Sequence, residues 1–308
     1  AIRNKAGQPF KVFTPYWRHC MQLGLPAPGS RQQLSRGRFL EHELKSLPPA
    51  HWELLPTSPN WAEGWLKHWS PGSAGAQAAL KRFASARLDG YESARDFPSL
   101  EGSSRLSPHL HWGELSPRQA CAAILAAQSA GDSDRQKFIA EIGWREFNHH
   151  LLFHFPHIPE QPFKPRFEHL PWTDSQGRLR AWQRGTTGYP IVDAGMRELW
   201  HTGFMHNRVR LICASFLTKH LLIPWQWGAR WFWDTLVDAD LANNSCGWQW
   251  VAGCGADAAP YFRIFNPVLQ GKKFDGDGNY IRRWVPEIAG LPDRHLHAPW
   301  EAPEDVLA

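Results

Sequence analysis

The sequence of 308 residues lacks the features that mark membrane, secreted and zinc-binding proteins. It contains no apolar run of the ~18 residues that cross a bilayer, and no basic segment followed by an apolar one as in a secretion leader. Its five cysteines are odd in number and show no short paired spacing, which argues against a disulfide framework or a zinc site. We therefore predict a cytoplasmic protein in a reducing setting, with no membrane association and no metal.

A strong charge of either sign is also missing. Charged residues make up 20% of the chain, and no block of like charges marks a disordered tail. The formal net charge of +5 suits a polyanionic partner such as nucleic acid, but many basic globular proteins bind none. The hydrophobic content of 43% is ample for one large core.

Strand patterns are absent too, because no segment alternates between apolar and polar residues over the length of a strand. Helical spacing is found instead, without an internal repeat. Gly90 is predicted to close a helix that begins near Gly75, and Ser107-Pro108 and Ser116–Gln119 are predicted to be capped helix starts. Longer helices are predicted over residues 134–153, 190–200 and 207–222. The sequence therefore predicts an all-α fold.

Proline is concentrated in the first 60 residues, where it breaks any long element. The prolines there are Pro9, Pro15, Pro26, Pro28, Pro48, Pro49, Pro56 and Pro59. We therefore expect residues 1–60 to form an irregular connector and lead-in, and residues 61–308 to form the helical domain.

Tryptophan is the unusual component, with 18 residues. Core packing explains most of them, since an indole carries a large apolar area and a single N–H group. Packing alone does not explain why several lie close to asparagine and aspartate between Trp200 and Phe274. We therefore expect this block to be the working part of the protein.

Residues 102–108 combine hydroxyl groups, a guanidinium group and the free N–H groups of a helix start. Together these donors could form a phosphate cradle. Taken alone, the segment is equally typical of an ordinary capped loop, which is the simpler interpretation.

Glu141, Trp144, Arg145 and Asn148 are spaced i, i+3, i+4 and i+7, so they share one face of a predicted helix. An acid, an indole, a guanidinium and an amide on one face can stack on a base and hydrogen-bond its edge. A solvated face with one partly packed tryptophan explains the same pattern equally well.

Residues 238–244 place carboxylates and amides soon after the aromatic run 231–233. Polar groups in such apolar surroundings need partners, so they either hold a loop or clasp a heteroaromatic cofactor. Arg210, on the preceding predicted helix, is a candidate ion-pair partner for one of the aspartates. A metal site is only weakly indicated here, because no second cluster has the spacing of metal ligands.

A series of segments between about residues 10 and 300 occurs in the order known from one family of flavoproteins. These segments are Arg95–Pro98, Ser103–Ser107, Trp144–Phe147, Thr187–Asp193, Met205–Arg208, Asp238–Leu241, Gly247–Trp250 and Tyr261–Pro267. In all of them the sequence closely resembles the photolyase/cryptochrome family, and most of all the enzymes that repair cyclobutane pyrimidine dimers.

The resemblance implies an all-helical domain that holds FAD in a bent shape at the bottom of a cavity. Contacts to the FAD phosphates are implied for Tyr91, Ser103, Ser104, Arg105, Leu106 and Ser107. Phe138, where many relatives have tryptophan, is implied to line the cofactor site. The surround of the flavin ring is implied to consist of Arg210, Asp238, Ala239 and Asp240. Asn244 is expected to face the reactive nitrogen of the ring.

The partner implied by the resemblance is damaged DNA, with the pyrimidine dimer flipped out of the duplex as is typical of photolyases. The residues implied to contact the lesion or the DNA are Arg95, Glu141, Trp144, Arg145, Asn148, Asn207, Leu211 and Trp250. Excited reduced FAD would donate an electron to the dimer, the ring would split, and the electron would return. Glu141 would hydrogen-bond the dimer and stabilise its radical anion.

Three tryptophans match the electron chain of the family, which carries electrons from the surface to the flavin under light. They are Trp172, Trp225 and Trp248. The hard chemistry would belong to the cofactor, while the protein would supply position, electrostatics and this path.

Three positions distinguish the members of the family. Relatives that repair the (6-4) photoproduct carry histidine where Asn207 and Leu211 stand here. Plant cryptochromes usually place aspartate, and animal ones often cysteine, where Asn244 stands. Repair of dimers is therefore favoured, although Leu211 departs from the methionine common in dimer-repair enzymes. A blue-light photoreceptor with the same FAD and tryptophan chain is the alternative, and a non-catalytic tryptophan-rich binding module is a third.

The segment 8–15 resembles the one that follows the α/β antenna domain of full-length members. We therefore expect the chain to be the catalytic part of a longer protein, without a site of its own for the antenna chromophore, whose identity stays open. We expect residues 61–308 to bind FAD and DNA as a monomer.

Overall fold

The computed structural model of the protein describes residues 2–29, 45–54 and 58–307. Within these ranges the regular secondary structure is helical and there is no strand, which confirms the predicted all-α fold. The α-helices are α1 (Phe13–Leu23), α2 (Ser73–Ala86), α3 (Tyr91–Ala94), α4 (Ser107–His111), α5 (Pro117–Ala126), α6 (Asp132–His154), α7 (Gln176–Arg184), α8 (Pro190–Thr202), α9 (Asn207–Ser215), α10 (Trp225–Thr235), α11 (Leu241–Ala252), α12 (Pro267–Phe274), α13 (Asn279–Trp284), α14 (Asp293–Leu296) and α15 (Glu304–Leu307).

Among the described residues, three apolar clusters form the core, and α6 takes part in two of them. The largest cluster lies among α7, α8, α9, α10, α11 and α13, and it includes Trp182, Leu199 and Trp225. A second cluster packs α2 and α5 against the first half of α6, and a third packs α1 against its second half. Because α6 is held on both halves, the polar residues along it have fixed positions.

Helix α6 follows its predicted range closely, at Asp132–His154 against 134–153. Asp132 and Asp134 lie in its first turn, where negative charge favours the helix dipole. Asp134 also accepts hydrogen bonds from the N–H groups of Gly90 and Glu92, at 3.0 and 2.8 Å. The start of α6 therefore also fixes the short helix α3.

Helices α8 and α9 also lie where the sequence predicts them. Pro190 is the first residue of α8, and Gly203, in a left-handed conformation, ends that helix. Helix α9 begins at Asn207 and continues as one π-helical turn, Phe216–His220, before Pro224. The predicted range 207–222 is therefore correct in extent, but its last part is not α-helical.

The lead-in is less irregular than predicted, because α1 lies within residues 1–60. Pro15 falls in the first turn of α1, where the N–H that proline lacks would have no partner inside the helix. Phe13 and Tyr16 are buried against α6. Residues 1, 30–44 and 55–57, with Pro56 among them, lie outside the described residues.

Two predicted helix ends are wrong, and a third is confirmed. Helix α2 ends at Ala86, and Gly90 precedes α3 instead of closing α2. Ser107 is the first helical residue of α4, because the carbonyl of Leu106 already accepts from Leu110. Ser116 forms the predicted capping box with Gln119 at the start of α5.

Within the described ranges, no helix is both long enough and apolar enough to cross a membrane.

Candidate functional site

One cavity of about 520 Å³ lies between α6, α9, α11 and the loop that precedes α4. Its size is typical of sites for small molecules and cofactors, which span roughly 300–1,000 Å³. The predicted site residues that line it are Tyr91, Arg95, Ser103, Ser104, Arg105, Ser107, Phe138, Glu141, Trp144, Arg145, Asn148, Asn207, Arg210, Leu211, Asp238, Ala239, Asp240, Asn244, Trp248 and Trp250. Leu106, Trp172 and Trp225 do not belong to the wall.

Arg210 and Asp238 form the ion pair that the sequence suggested. Nη2 of Arg210 lies 2.9 Å from Oδ2 of Asp238, and Nε of Arg210 donates to the carbonyl of Met205 at 2.7 Å. The Asp238 side chain is 3% exposed. Its other oxygen, Oδ1, is buried and accepts no hydrogen bond from the described residues. A buried carboxylate oxygen beside a cavity is suited to a ligand that brings its own donor.

Asp240 is held from two helices at once. It caps α11 by accepting from the backbone N–H and the side-chain amide of Asn243, at 2.9 and 2.6 Å. Its second oxygen lies 3.1 Å from Nε2 of His149 and 3.8 Å from Nδ1 of His111. Asn148 donates to Asn243 at 2.8 Å, so α6 and α11 are joined by a closed set of polar contacts.

The contact between Asp240 and His149 shifts the pKa of both side chains toward the ionised pair. Burial raises the pKa of the Asp240 carboxyl, but the hydrogen bonds from His149 and Asn243 outweigh burial and hold that pKa well below its usual range. The same hydrogen bond raises the pKa of His149, although burial opposes it. Both shifts favour the same charge state of the pair, in which Asp240 is a carboxylate and His149 an imidazolium.

The sequence interpretation missed His111 and His149, and it included Asn243 only as one of the amides of residues 238–244. His149 follows the i, i+3, i+4, i+7 series of Glu141 at i+8, so the helical spacing could have placed it on the same face. Its contact with Asp240 spans 91 positions in the chain, and no local pattern indicates such a pair.

Asn244 lines the cavity from the first turns of α11. Its amide nitrogen donates to the carbonyl of Ala229 on α10, at 2.9 Å. The amide oxygen is the polar atom that remains to meet a ligand.

The loop before α4 contributes hydroxyl groups and a guanidinium to the wall of the cavity. The backbone of Arg105 is left-handed, with φ at 51°, and its guanidinium lies 4.8 Å from the ring of Phe204 and 4.0 Å from Glu198. Ser104 accepts from the N–H of Leu106 at 3.4 Å, and the Leu106 side chain is buried in the core. This loop can offer donors to an anion, while Leu106 can contribute only through its backbone.

Aromatic rings form the floor next to this loop. Tyr91 and Phe138 meet edge to face at 5.8 Å, and Phe83 packs behind Phe138 at 5.2 Å. The guanidinium of Arg95 lies 5.5 Å from the ring of Tyr91. The floor is therefore rigid and mostly apolar.

The polar face of α6 forms another wall. Glu141 is paired with Arg95, and Lys137 lies 3.4 Å from the same carboxylate oxygen. Trp144 is stacked on Phe13 with ring centroids 3.8 Å apart, which leaves its edge and second face toward the cavity. The wall thus combines a held carboxylate with a fixed indole.

The three tryptophans of the predicted electron chain lie at different depths. Trp248 lines the cavity and meets the ring of Phe232 at 5.0 Å. Trp225 is buried at the start of α10, and Trp172 is half-buried. The N–H of Thr173 donates to the carbonyl of Leu222 at 2.6 Å, which joins the Trp172 segment to the turn before α10.

The polar groups that line the cavity fit FAD, the cofactor that the sequence resemblance implies. The open oxygen of Asp238, the amide of Asn244 and the guanidinium of Arg210 can meet the polar edge of a flavin ring. Hydroxyls and Arg105 of the loop before α4 can meet phosphates. Among the described residues, no group of three or more His, Cys, Asp and Glu side chains is arranged to hold a metal ion.

Comparison with known proteins gives the same picture. The family model described as the FAD binding domain of DNA photolyase matches residues 138–308. A deoxyribodipyrimidine photo-lyase of Agrobacterium fabrum is 49% identical, over 99% of this chain and 64% of that relative. The crystal structure of a bacterial class III photolyase from Agrobacterium tumefaciens has a TM-score of 0.94 at 49% identity, over 99% of this chain and 64% of that one.

Cryptochromes are related as well. Cryptochrome-1 of Arabidopsis thaliana is 36% identical, over 99% of this chain and 46% of that relative. The chain thus spans less than two thirds of the length of each of these relatives. The matched family model, which covers more than half of the chain, shows that the protein belongs to the family of the FAD-binding domain of DNA photolyases.

Proposed function

We propose that this domain repairs cyclobutane pyrimidine dimers in DNA, driven by light absorbed by FAD. The observation that carries the proposal is that one cavity joins the donor set for FAD to the wall formed by Glu141 and Trp144. A cofactor and a flipped-out dinucleotide could therefore occupy the same space in contact. The relatives named deoxyribodipyrimidine photo-lyase support this assignment.

FAD is the cofactor of the family, and in its reduced, light-excited state it would supply the electron for repair. The residues proposed to hold its ring are Arg210, Asp238, Asp240 and Asn244, with Ala239 between the two aspartates. The residues proposed to hold its phosphates are Tyr91, Ser103, Ser104, Arg105 and Ser107, with Leu106 acting through its backbone and Phe138 lining the site.

On the lesion side, Glu141 is proposed to bind the flipped dimer. Its pairing with Arg95 fixes the carboxyl group before the substrate arrives, so the carboxylate can accept a hydrogen bond from an N–H group of a flipped pyrimidine. The guanidinium of Arg95 beside it is the group proposed to offset the negative charge that develops on the dimer. Trp144 and Trp250 are proposed to offer apolar faces to the pyrimidines, with Asn148, Asn207 and Leu211 in the same pocket. Arg145 is proposed to contact the DNA backbone together with Arg95.

A sensory role is the second candidate, favoured by the similarity to Cryptochrome-1 of Arabidopsis thaliana. Three side chains weigh against it or against repair of (6-4) photoproducts. Relatives that repair (6-4) photoproducts carry histidine at the positions of Asn207 and Leu211, so these two residues argue against that activity. Plant cryptochromes usually carry aspartate at the position of Asn244, so this residue argues against a sensory role. Dimer repair fits Asn207 and Asn244, while Leu211 argues against (6-4) repair but also departs from the methionine common in dimer-repair enzymes.

The deciding experiment illuminates the FAD-loaded, chemically reduced chain with an oligonucleotide that contains one thymine dimer. Repair restores pyrimidine absorbance near 260 nm, and we expect this recovery only under light. A chain that binds FAD but restores no absorbance would contradict the proposal and favour the sensory role.

Glu141→Gln is the variant that tests the lesion wall. A hydrogen bond to a charged group contributes about 1.5–3 kcal/mol, which corresponds to a factor of roughly ten to 150, so repair per absorbed photon should fall by at least about tenfold. Glu160→Gln, on an exposed loop, is the matched control and should repair at the rate of the unaltered chain. Equal repair by both variants would remove Glu141 from the proposed pocket.

A further inference from the structure

The two aspartates beside the cavity, Asp238 and Asp240, are paired with different kinds of cationic side chain. Asp238 is paired with Arg210, whose guanidinium keeps its charge at any accessible pH. Asp240 is paired with His149, whose imidazolium can lose its proton in the physiological range. The charge that surrounds the cofactor site therefore has one permanent pair and one pair that titrates.

His149 is held so that only one of its nitrogens is available to Asp240. Nδ1 lies 2.9 Å from the carbonyl of Arg145, one turn earlier on α6, and Nε2 lies 3.1 Å from Oδ2 of Asp240. Both contacts call for a donor, because a carbonyl and a carboxylate only accept. The imidazolium supplies two N–H donors, whereas a neutral imidazole supplies one and must give up one contact.

The other charged groups near this pair do not replace His149. The guanidinium of Arg145 is bound to Glu146 at 2.7 Å, and its charge opposes protonation of His149. His111, on α4, lies 3.8 Å from the same Asp240 oxygen but outside hydrogen-bond distance. Asn243 binds the other oxygen and carries no charge.

We propose that His149 is a positioning residue of the cofactor site, whose protonated form holds and neutralises the Asp240 carboxylate so that the anionic cofactor is retained. This inference rests on the proposed placement of FAD in the cavity and does not require repair activity. When His149 loses its proton, the Asp240 carboxylate is left without a compensating cation beside a ligand that is itself negative. FAD then binds more weakly, and its reduction to an anionic form becomes less favourable.

The test measures FAD retention by equilibrium dialysis of the FAD-loaded chain at a series of pH values between about 5.5 and 9. This range extends to both sides of the usual histidine pKa of ~6.5. We expect the Kd for FAD to rise with pH in the unaltered chain. In His149→Gln the Kd should be raised by about tenfold at the acidic end and should no longer change with pH. In His149→Arg, which restores a permanent cation, binding should be tight at every pH.

The reduction potential of the bound flavin gives a second readout that a purely structural role of His149 would not move. It should fall in His149→Gln and return toward the original value in His149→Arg. His150→Gln is the matched control, since His150 is the next residue of α6 but accepts a hydrogen bond from the backbone of Phe10 instead. This control should keep the pH dependence of the unaltered chain.

Two results would overturn the inference. One is a Gln variant that retains FAD with the same Kd and the same pH dependence as the unaltered chain. The other is an Arg variant that melts at the original temperature but binds FAD as weakly as the Gln variant. If the unaltered chain itself retained no FAD, the proposed placement of the cofactor would fail, and this outcome is distinct from the first two.

Discussion

Gly228 on α10 lies directly against the indole of Trp248 on α11. A Cβ added at Gly228 would come within 2.1 Å of Cη2 of Trp248 and within 2.6 Å of a methyl group of Leu217. The side chain of Trp248 lines the cavity, so the absence of a side chain at Gly228 lets the indole sit at this depth. The two helices are therefore packed as closely as glycine permits.

Gly228→Ala should destabilise the protein. Alanine favours a helix over glycine by up to about 1 kcal/mol, but overpacking a filled core costs about 1–3 kcal/mol. We expect the free energy of unfolding to fall by about 1–2 kcal/mol, measured by denaturant titration. Gly177→Ala, in α7 and free of neighbours within 4 Å, is the control and should leave stability unchanged or raise it. An equal effect at both positions would mean that contact with Trp248 is not the cause.

Trp248→Phe tests the proposed electron chain of Trp172, Trp225 and Trp248. Phenylalanine is far harder to oxidise than tryptophan, so photoreduction of bound oxidised FAD should be lost while the flavin remains bound. Repair should persist once the flavin is reduced chemically, because the proposed role of the three tryptophans is only to carry electrons to the flavin. Absorbance of the flavin under blue light, with an external electron donor present, gives the measurement.

Trp182→Phe is the matched control for this prediction. Trp182 is also buried and lies 6.1 Å from Trp248, but it is not a member of the proposed chain. It should keep photoreduction while losing stability, since its indole N–H donates to the carbonyl of Cys213 at 3.0 Å. Loss of repair in chemically reduced Trp248→Phe would show that Trp248 does more than relay electrons.

The fold could be predicted where the signals are local. The range of α6, the capping box at Ser116 and the proline that starts α8 all depend on residues within a few positions of one another. The first helix was missed because Pro15 was read as a breaker, although proline is tolerated in a first turn. Whether a proline breaks a helix or starts one depends on where the helix begins, and the sequence alone does not give that position.

For the site, the sequence predicts which segments contribute residues but not which residues contact one another. The contacting residues come from distant parts of the chain. The sequence predicts an ion pair of Arg210 with one of the nearby aspartates, and in the structure that aspartate is Asp238. The contact of His149 with Asp240, and the place of Phe204 between two arginines, depend on how whole helices pack. No spacing within a single helix contains that information.

Phe204→Leu tests how the two arginines are held. The ring of Phe204 lies 4.8 Å from the guanidinium of Arg105 and 5.5 Å from that of Arg210, so one aromatic ring contacts both arginines of the proposed FAD site. Each cation–π contact contributes about 0.5–1 kcal/mol, so the Kd for FAD should rise by roughly five- to thirtyfold. Fluorescence of released FAD on dilution would measure this change.

Trp69→Phe is the control for Phe204→Leu. Trp69 packs behind Phe204 at 5.8 Å, and its indole donates to the carbonyl of Thr202 at 2.7 Å. This variant should lower the melting temperature but keep the affinity for FAD, because the ring of Phe204 is still present. If both variants lost stability and neither lost affinity, Phe204 would be a packing residue only.

Acid should destabilise the protein through His150. Burial, with the neighbouring charge of His154, lowers the pKa of His150 to about 4, against about 6.5 in an unfolded chain. Its Nε2 accepts the N–H of Phe10 at 3.1 Å, a contact that protonation removes. Because the unfolded state binds the proton more readily, stability is complete above about pH 6.5 and is lost as the pH falls toward 4.

His150→Gln should reduce this loss, since glutamine can accept the same hydrogen bond and does not titrate. Denaturant titrations at pH 7 and pH 5 give the comparison, with the difference in unfolding free energy smaller in the variant than in the unaltered chain. Part of the difference should remain, because burial also lowers the pKa of His206 to about 4. An undiminished difference in the variant would mean that His150 binds its proton equally well in the folded and unfolded states and that other groups cause the acid sensitivity.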